Sequence, residues 1–270
     1  MRGTAALGGA LLLVLALAAG AVGAEETRER TIRYTHGGVT FEGVAVWEAG
    51  DSGEDRRPGL LVVPNWMGPS PAAREKAAML AGDDYVAFVV DLYGVNVRPA
   101  NAEEAAKAAG AVRADRAGMR ARMAAAEEAF READDLPLAA QPLSAAGFCF
   151  GGGAVLEYAR SGADLAAVGS FHGDLASPTL AADSERIRAR IMVLHGADDP
   201  FVPQEEVENW VEVMRGTAVD WQLIEFSNTV HSFTDPSAAM PGRAEYQPRS
   251  ARRAFAYWDE FLEETYEPED

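Results

Sequence analysis

The sequence predicts an α/β fold, a mostly parallel, doubly wound sheet with helices on both faces, and three observations carry that expectation. From Thr31 onward short apolar runs alternate with longer stretches of helical period, as in a sheet whose connections are helices. Most of those runs are continuous rather than alternating, which is how strands buried on both faces read. With 48% hydrophobic and 24% charged residues over 270 positions, the chain has enough apolar material for one sizeable core and resembles neither a disordered nor a fibrous sequence.

The elements follow in order. Arg2 precedes an apolar run from Ala10 to Ala19, and Val22-Gly23-Ala24 offers small residues where signal peptidase cuts. Residues 1–24 are therefore expected to be a secretory signal peptide and residues 25–270 a single mature domain, periplasmic or secreted. An uncleaved anchor is the rival reading, but the run is short for a spanning helix. Without a cysteine near Ala24 no stable membrane anchor is expected after cleavage. Thr31 to His36 and Val39 to Trp47 flank Gly37-Gly38 as a hairpin. Strands are then expected at Leu60–Val63, Val86–Val90, Ser144–Ala146, Leu165–Phe171, Ile191–Leu194 and Trp221–Ile224. Between them helices are expected at Ala72–Ala81, Ala102–Ala109, Arg113–Ala133, Gly152–Arg160 and Gln204–Met214, with a last amphipathic one from Pro248 to about Glu264. Gly50 to Pro58 reads as a surface loop, and charge runs such as Glu205-Glu206 as solvated helix faces.

Composition excludes several functions. Lys+Arg total 24 against 42 for Asp+Glu, a formal charge of −18, which opposes nucleic-acid phosphates and anionic lipid. The lone cysteine, Cys149, excludes an intramolecular disulfide and a cysteine-rich zinc site. A free thiol in an exported protein needs protection or a purpose.

That thiol sits in Gly147-Phe148-Cys149-Phe150-Gly151-Gly152-Gly153, after a strand and before a helix. This is the pattern of a nucleophile elbow with sulfur in place of oxygen. The glycines permit a tight strand-to-helix turn, and the helix aims its first NH groups and positive dipole end at the sulfur, favouring thiolate. Taken alone, the segment also reads as a small buried cysteine in a glycine-rich turn. Downstream, the strand Ile191–Leu194 runs into His195-Gly196-Ala197-Asp198-Asp199, and Trp221–Ile224 is followed by His231-Ser232-Phe233. Nucleophile, acid, histidine is the chain order of α/β-hydrolases, and all three emerge at the carboxyl ends of strands, where such sheets place their sites. Asp198 and Asp199 compete for the acid role; the register Gly-x-x-Asp-x-x-Val-Pro favours Asp199.

Together these motifs, with Asp91-Leu92-Tyr93 and Phe201-Val202-Pro203, resemble the dienelactone hydrolase family, cysteine enzymes of the α/β-hydrolase fold, over nearly the whole mature chain. The resemblance implies hydrolysis of a small-molecule ester or lactone without a cofactor. Carried over by position, Cys149 is the nucleophile, His231 the general base and then acid, and Asp199 its orienter. The backbone NH groups of Trp66 and Phe150 form the oxyanion hole. Two departures bear on the substrate. The family's dienelactone enzymes carry a glutamate that gates the thiol where this chain has Asn65, and an arginine that holds a substrate carboxylate where it has Asp235. Neutral substrates are therefore expected, with a thiolate–imidazolium pair already present in the empty site.

His172 and Tyr93, at strand ends on the catalytic side, are expected to line the substrate pocket with Asn65 and Asp235. His195 reads as a loop-backbone partner and His36 as a surface residue. A zinc site from His172, His195, Asp198 and His231 lacks any recognisable ligand spacing, so no metal is expected. The glycine run lacks the Lys and spacing of a phosphate loop. Alternatives are a non-catalytic ligand-binding or scaffold protein that keeps an inherited pocket, and a peptidase or thioesterase on the same triad.

Overall fold

The computed structural model describes residues 27–49 and 56–267; the expected signal peptide and most of the loop before Pro58 lie outside them. Strands β1 (Thr27–His36) and β2 (Val39–Glu48) form an antiparallel hairpin across Gly37-Gly38. Then come β3 (Gly59–Val63), α1 (Pro71–Ala81), β4 (Val86–Val89), α2 (Ala102–Ala114), α3 (Arg116–Arg131), β5 (Leu143–Phe148) and α4 (Phe150–Arg160). The second half adds β6 (Leu165–Phe171), α5 (Leu180–Ser184), β7 (Arg190–Gly196), α6 (Gln204–Arg215), β8 (Trp221–Phe226), β9 (Ala239–Met240), β10 (Ala244–Glu245) and α7 (Pro248–Tyr266). The main sheet has eight strands in the order β1-β2-β4-β3-β5-β6-β7-β8. From β4 to β8 every pairing is parallel, and β1 and β2 run antiparallel at one end.

Alternate residues of each central strand feed two different cores, which explains the unbroken apolar runs. Leu61 and Val63 of β3 pack on one face, with Met123 and Phe130 of α3 and Trp210 of α6. Leu60 and Val62 pack on the other, with Ala77 of α1 and Trp258 and Phe261 of α7. Each such fully buried large side chain contributes about 1.5–3 kcal/mol. Trp258 presses on Gly169 of β6 so closely that an added Cβ would lie 2.7 Å from its ring.

The boundary between α2 and α3 falls later than Gly110 suggests. Gly110 meets open space, so it interrupts nothing, and the break comes at Asp115, whose carboxylate caps α3 by accepting from the Gly118 NH at 2.9 Å. The short α5 and the β9–β10 hairpin carry too few residues to leave a periodic signal, and neither was expected. Helix α4 is buried along its whole length, which is unusual for a helix opening on three glycines. Those glycines are what admits it: a Cβ on Gly151 would lie 2.1 Å from the Val63 carbonyl oxygen, and one on Gly152 2.7 Å from Gly173 Cα.

Candidate active site

Cys149 occupies the turn between β5 and α4 with φ 55° and ψ −116°, a left-handed conformation that costs an L residue on the order of 1–3 kcal/mol. Two hydrogen bonds hold it there: its NH donates to the Phe171 carbonyl at 3.0 Å and to Nδ1 of His172 at 3.1 Å. Gly147 is needed beneath it, since a Cβ there would meet the Gly151 carbonyl at 2.1 Å. The thiol is half-buried. The Phe150 NH, first in α4, has no acceptor within its own helix. The Trp66 NH, in the loop after β3, donates to no protein acceptor among the described residues. Both amides are thus unspent in the two loops that flank the sulfur.

Asp199 and His231 meet across the ends of β7 and β8. Nδ1 of His231 lies 2.7 Å from Asp199 Oδ2, and the other carboxylate oxygen accepts from the Phe201 NH at 2.8 Å. Asp198 is exposed and turns its backbone NH to Thr229; it does not reach the imidazole. Burial works against a charge on His231, but the Asp199 carboxylate that accepts from Nδ1 and the influence of the nearby Cys149 sulfur outweigh it and push the imidazole up to about 10. The histidine therefore holds a buried carboxylate on Nδ1, with the Cys149 sulfur near enough to favour its charged form.

His172 directly follows β6. It forms part of a cavity wall, but both ring nitrogens are committed. Nδ1 accepts from the Cys149 NH, so Nε2 carries the hydrogen and donates to Thr234 Oγ1 at 2.8 Å. Burial, then the neighbouring positive charges of His231 and Lys76, hold its pKa well below the ordinary value and keep it neutral. Its ring meets that of His231 edge to face at 5.1 Å. His172 ties the nucleophile turn to the loop that carries His231.

Tyr93 departs from the pocket-wall reading. Its hydroxyl donates to the Trp66 carbonyl at 2.8 Å and its ring packs on Phe150 at 5.6 Å. It thereby touches both Trp66 and Phe150, and it borders a separate cleft with Arg98 and Arg122. Burial raises its pKa and keeps it a neutral donor. Asn65 and Asp235 do share a cavity of about 280 Å³ with His172, and they face each other, Asn65 Nδ2 lying 3.4 Å from Asp235 Oδ2. Asn65 also accepts from the Met67 NH at 3.0 Å, which shapes the loop bearing Trp66.

Sequence reasoning missed Lys76, which lines the same cavity. It counted Asp235 as an isolated negative charge, whereas the lysine stands close enough to feel that carboxylate. The available signal was compositional: only Lys76 and Lys107 among 24 basic residues are lysines. His195 is buried at the end of β7 with Nδ1 lacking a partner among the described residues, and His36 ends β1. Among the described residues no group of three or more His, Cys, Asp or Glu converges as a metal site.

Comparison with known proteins places this architecture. The model of the dienelactone hydrolase family matches residues 44–266. The chain is similar to the solved structure of m3DLH, with 36% identity, 89% of this chain and 99% of that one covered, and a TM-score of 0.81. It is similar to the dienelactone hydrolase-like promiscuous phosphotriesterase P91 from metagenomic libraries, with 33% identity, 88% and 98% coverage and a TM-score of 0.81. Esterase 2 of Thermogutta terrifontis, solved after phosphorylation by paraoxon, is 20% identical over 89% of this chain and 96% of that one at a TM-score of 0.58 and shares the fold. Over 130 residues, 47% of this chain and 82% of the other, protein K02A2.1 of Caenorhabditis elegans is 36% identical.

Proposed function

Because the chain belongs to the dienelactone hydrolase family, a hydrolase of the α/β-hydrolase fold, we propose that it cleaves small esters or lactones through Cys149, His231 and Asp199. The observation that carries this reading is His231, bonded to Asp199 at 2.7 Å and pushed up to about 10 by that carboxylate and the thiol, burial notwithstanding. The Cys149 thiolate attacks the carbonyl carbon, and the displaced π pair moves to oxygen, which the Trp66 and Phe150 amides receive. Collapse of that intermediate breaks the C–O bond, and the His231 imidazolium gives its proton to the departing alkoxide. A thioester remains. Neutral His231 then takes a proton from water, hydroxide attacks the thioester, and the carboxylic acid leaves as the thiolate returns.

Substrate charge follows from the Asn65 and Asp235 wall. With Lys76 near Asp235 and Glu75 on the same cavity, a carboxylate gains no net attraction there, and uncharged esters and lactones are the expected class. Residues 1–24 are proposed to direct export to the periplasm or beyond, on the strength of Arg2, the apolar run and Val22-Gly23-Ala24. Intact-mass measurement of secreted protein should give a chain starting at Glu25; a retained Met1 would refute it.

A second reading has its own support: the similar P91 protein is named for promiscuous phosphotriesterase activity, and attack of the same thiolate at phosphorus would release an alcohol in the same way. One experiment covers the site. Neutral and carboxylate-bearing esters, lactones and a phosphotriester are assayed with wild type and Cys149→Ala. The expected result is a burst of alcohol stoichiometric with protein, highest kcat/KM on neutral carboxylic esters or lactones, and none of this in the variant. A protein that only binds ligands would give no burst at all.

A further inference from the structure

The two lysines of this chain stand in opposite surroundings. Lys107 is exposed on α2, whereas Lys76 of α1 lines the cavity of about 280 Å³ that Phe148, Asp235 and Phe255 also border. The Lys76 ammonium lies 4.4 Å from the centre of the Phe148 ring and 5.6 Å from that of Phe255. It donates to the Thr234 carbonyl at 3.0 Å, and it makes no ion pair among the described residues. Asp235 spends one carboxylate oxygen on the Ser237 NH and hydroxyl, at 2.9 and 2.7 Å, and turns the other to Asn65. Two aromatic faces and one carbonyl therefore replace most of the water that an ammonium ordinarily keeps.

We propose that Lys76 is a second nucleophile of this protein, an amine that condenses with small aromatic aldehydes inside this cavity to form an imine. The cavity has room for about one substituted ring, and Phe148 and Phe255 supply ring faces for it to pack against. Burial supports the chemistry by pulling the ammonium down to about 8, although the charge of Asp235 opposes it. An amine so placed is partly neutral near neutral pH, which a guanidinium at the same position would never be. The titratable groups around it are Asp235 from the loop after β8, His172 from the end of β6, Tyr246 from the loop after β10 and Glu75 from α1 itself.

In the reaction the nitrogen lone pair forms a C–N bond while the carbonyl π pair moves to oxygen. One proton passes from nitrogen to that oxygen through water or the Asp235 carboxylate. The hydroxyl then leaves with a second proton as water, and the C=N bond takes its place. No electrons are gained or lost, and Cys149 takes no part, so the inference stands apart from the hydrolase reading.

The test uses the full chain as wild type and as Cys149→Ala, in which no thiol competes for the aldehyde. Each is incubated with benzaldehyde and cyanoborohydride at about pH 7.5, and the benzyl adducts are mapped by peptide mass. Lys76 should carry an adduct that saturates with benzaldehyde in both proteins. It should exceed the adduct on Lys107 on the order of 100-fold, the gain in neutral amine for a group near 8 over an ordinary lysine at about 10.4. Lys76→Arg, which keeps the charge, should abolish it, and Phe255→Ala, which admits water to the cavity, should cut the preference about tenfold or more. Equal labelling of the two lysines, labelling of Lys76 that rises without saturation, or no adduct at Lys76 would each overturn the proposal.

Discussion

His172 and His231 have ring centres 5.1 Å apart and are driven in opposite directions. His231 sits between a buried carboxylate and a thiol, and it is pushed up to about 10. His172 sits between a backbone NH and a hydroxyl, with positive charge nearby, and burial keeps it neutral. The same side chain is thus driven toward its charged form in one place, as the proposed proton carrier, and held as a neutral strut in the other. What separates them is the partner set: a neutral donor asks the ring for a lone pair, whereas an anion asks it for a proton.

The strongest way to break the comparison is to remove the carrier. Cys149→Ala and His231→Ala are each expected to lower kcat on an activated ester on the order of 10³-fold or more, with the fold intact by circular dichroism. The strut should respond to geometry rather than to charge. His172→Leu strips the acceptor from the Cys149 NH and should cost about 100-fold in kcat, since small displacements of a nucleophile are expensive. His172→Asn supplies both an acceptor and a donor and tolerates the φ of 42° found at this position, so it should recover most of the activity and the wild-type pH profile. Equal loss in both variants would mean that the ring acts by bulk alone.

Stability against pH should separate the two histidines by sign. The native pKa of His231 lies above its unfolded value, so its contribution is complete below about 6.5 and is lost as pH rises through about 10. The native pKa of His172 lies below its unfolded value, so its contribution is complete above about 6.5 and is lost as pH falls. Urea midpoints should show the advantage of wild type over His231→Gln shrinking as pH rises from about 6.5 to about 10, and that of wild type over His172→Asn shrinking as pH falls below about 6.5. The smallest effect belongs to the exposed acid: Asp198→Asn should change kcat by less than about threefold, against a clear loss for Asp199→Asn. A larger loss at Asp198 would reassign the orienter.

The elements that built this site were legible to different degrees. Continuous runs such as Leu60–Val63 announced strands because both faces of the sheet are covered, and the glycines around Cys149 announced a turn because no side chain fits where Gly147 and Gly151 lie. The roles of His172 and Tyr93 were not legible. Each is fixed by hydrogen bonds to residues distant in sequence, Cys149 and Thr234 for one and Trp66 for the other. Lys76 reads as one more solvated position in Pro71-Ala72-Ala73-Arg74-Glu75-Lys76 until Phe255 of α7 is laid beside it. Helix-face arithmetic cannot anticipate which neighbour a helix will receive.

The strand order carries a consequence for how the molecule assembles in time. Strand β3 lies between β4 and β5, and Leu60 aligns with Ser144, so closing that pair waits on α1, β4, α2 and α3. Loops of that length make folding slow compared with chains of local contacts. Cys149 arrives at the end of β5, Asp199 after β7 and His231 only after β8. On a growing chain the cysteine is therefore made long before the histidine proposed to govern it, so under that reading its reactivity is switched on last, when the final strands have docked.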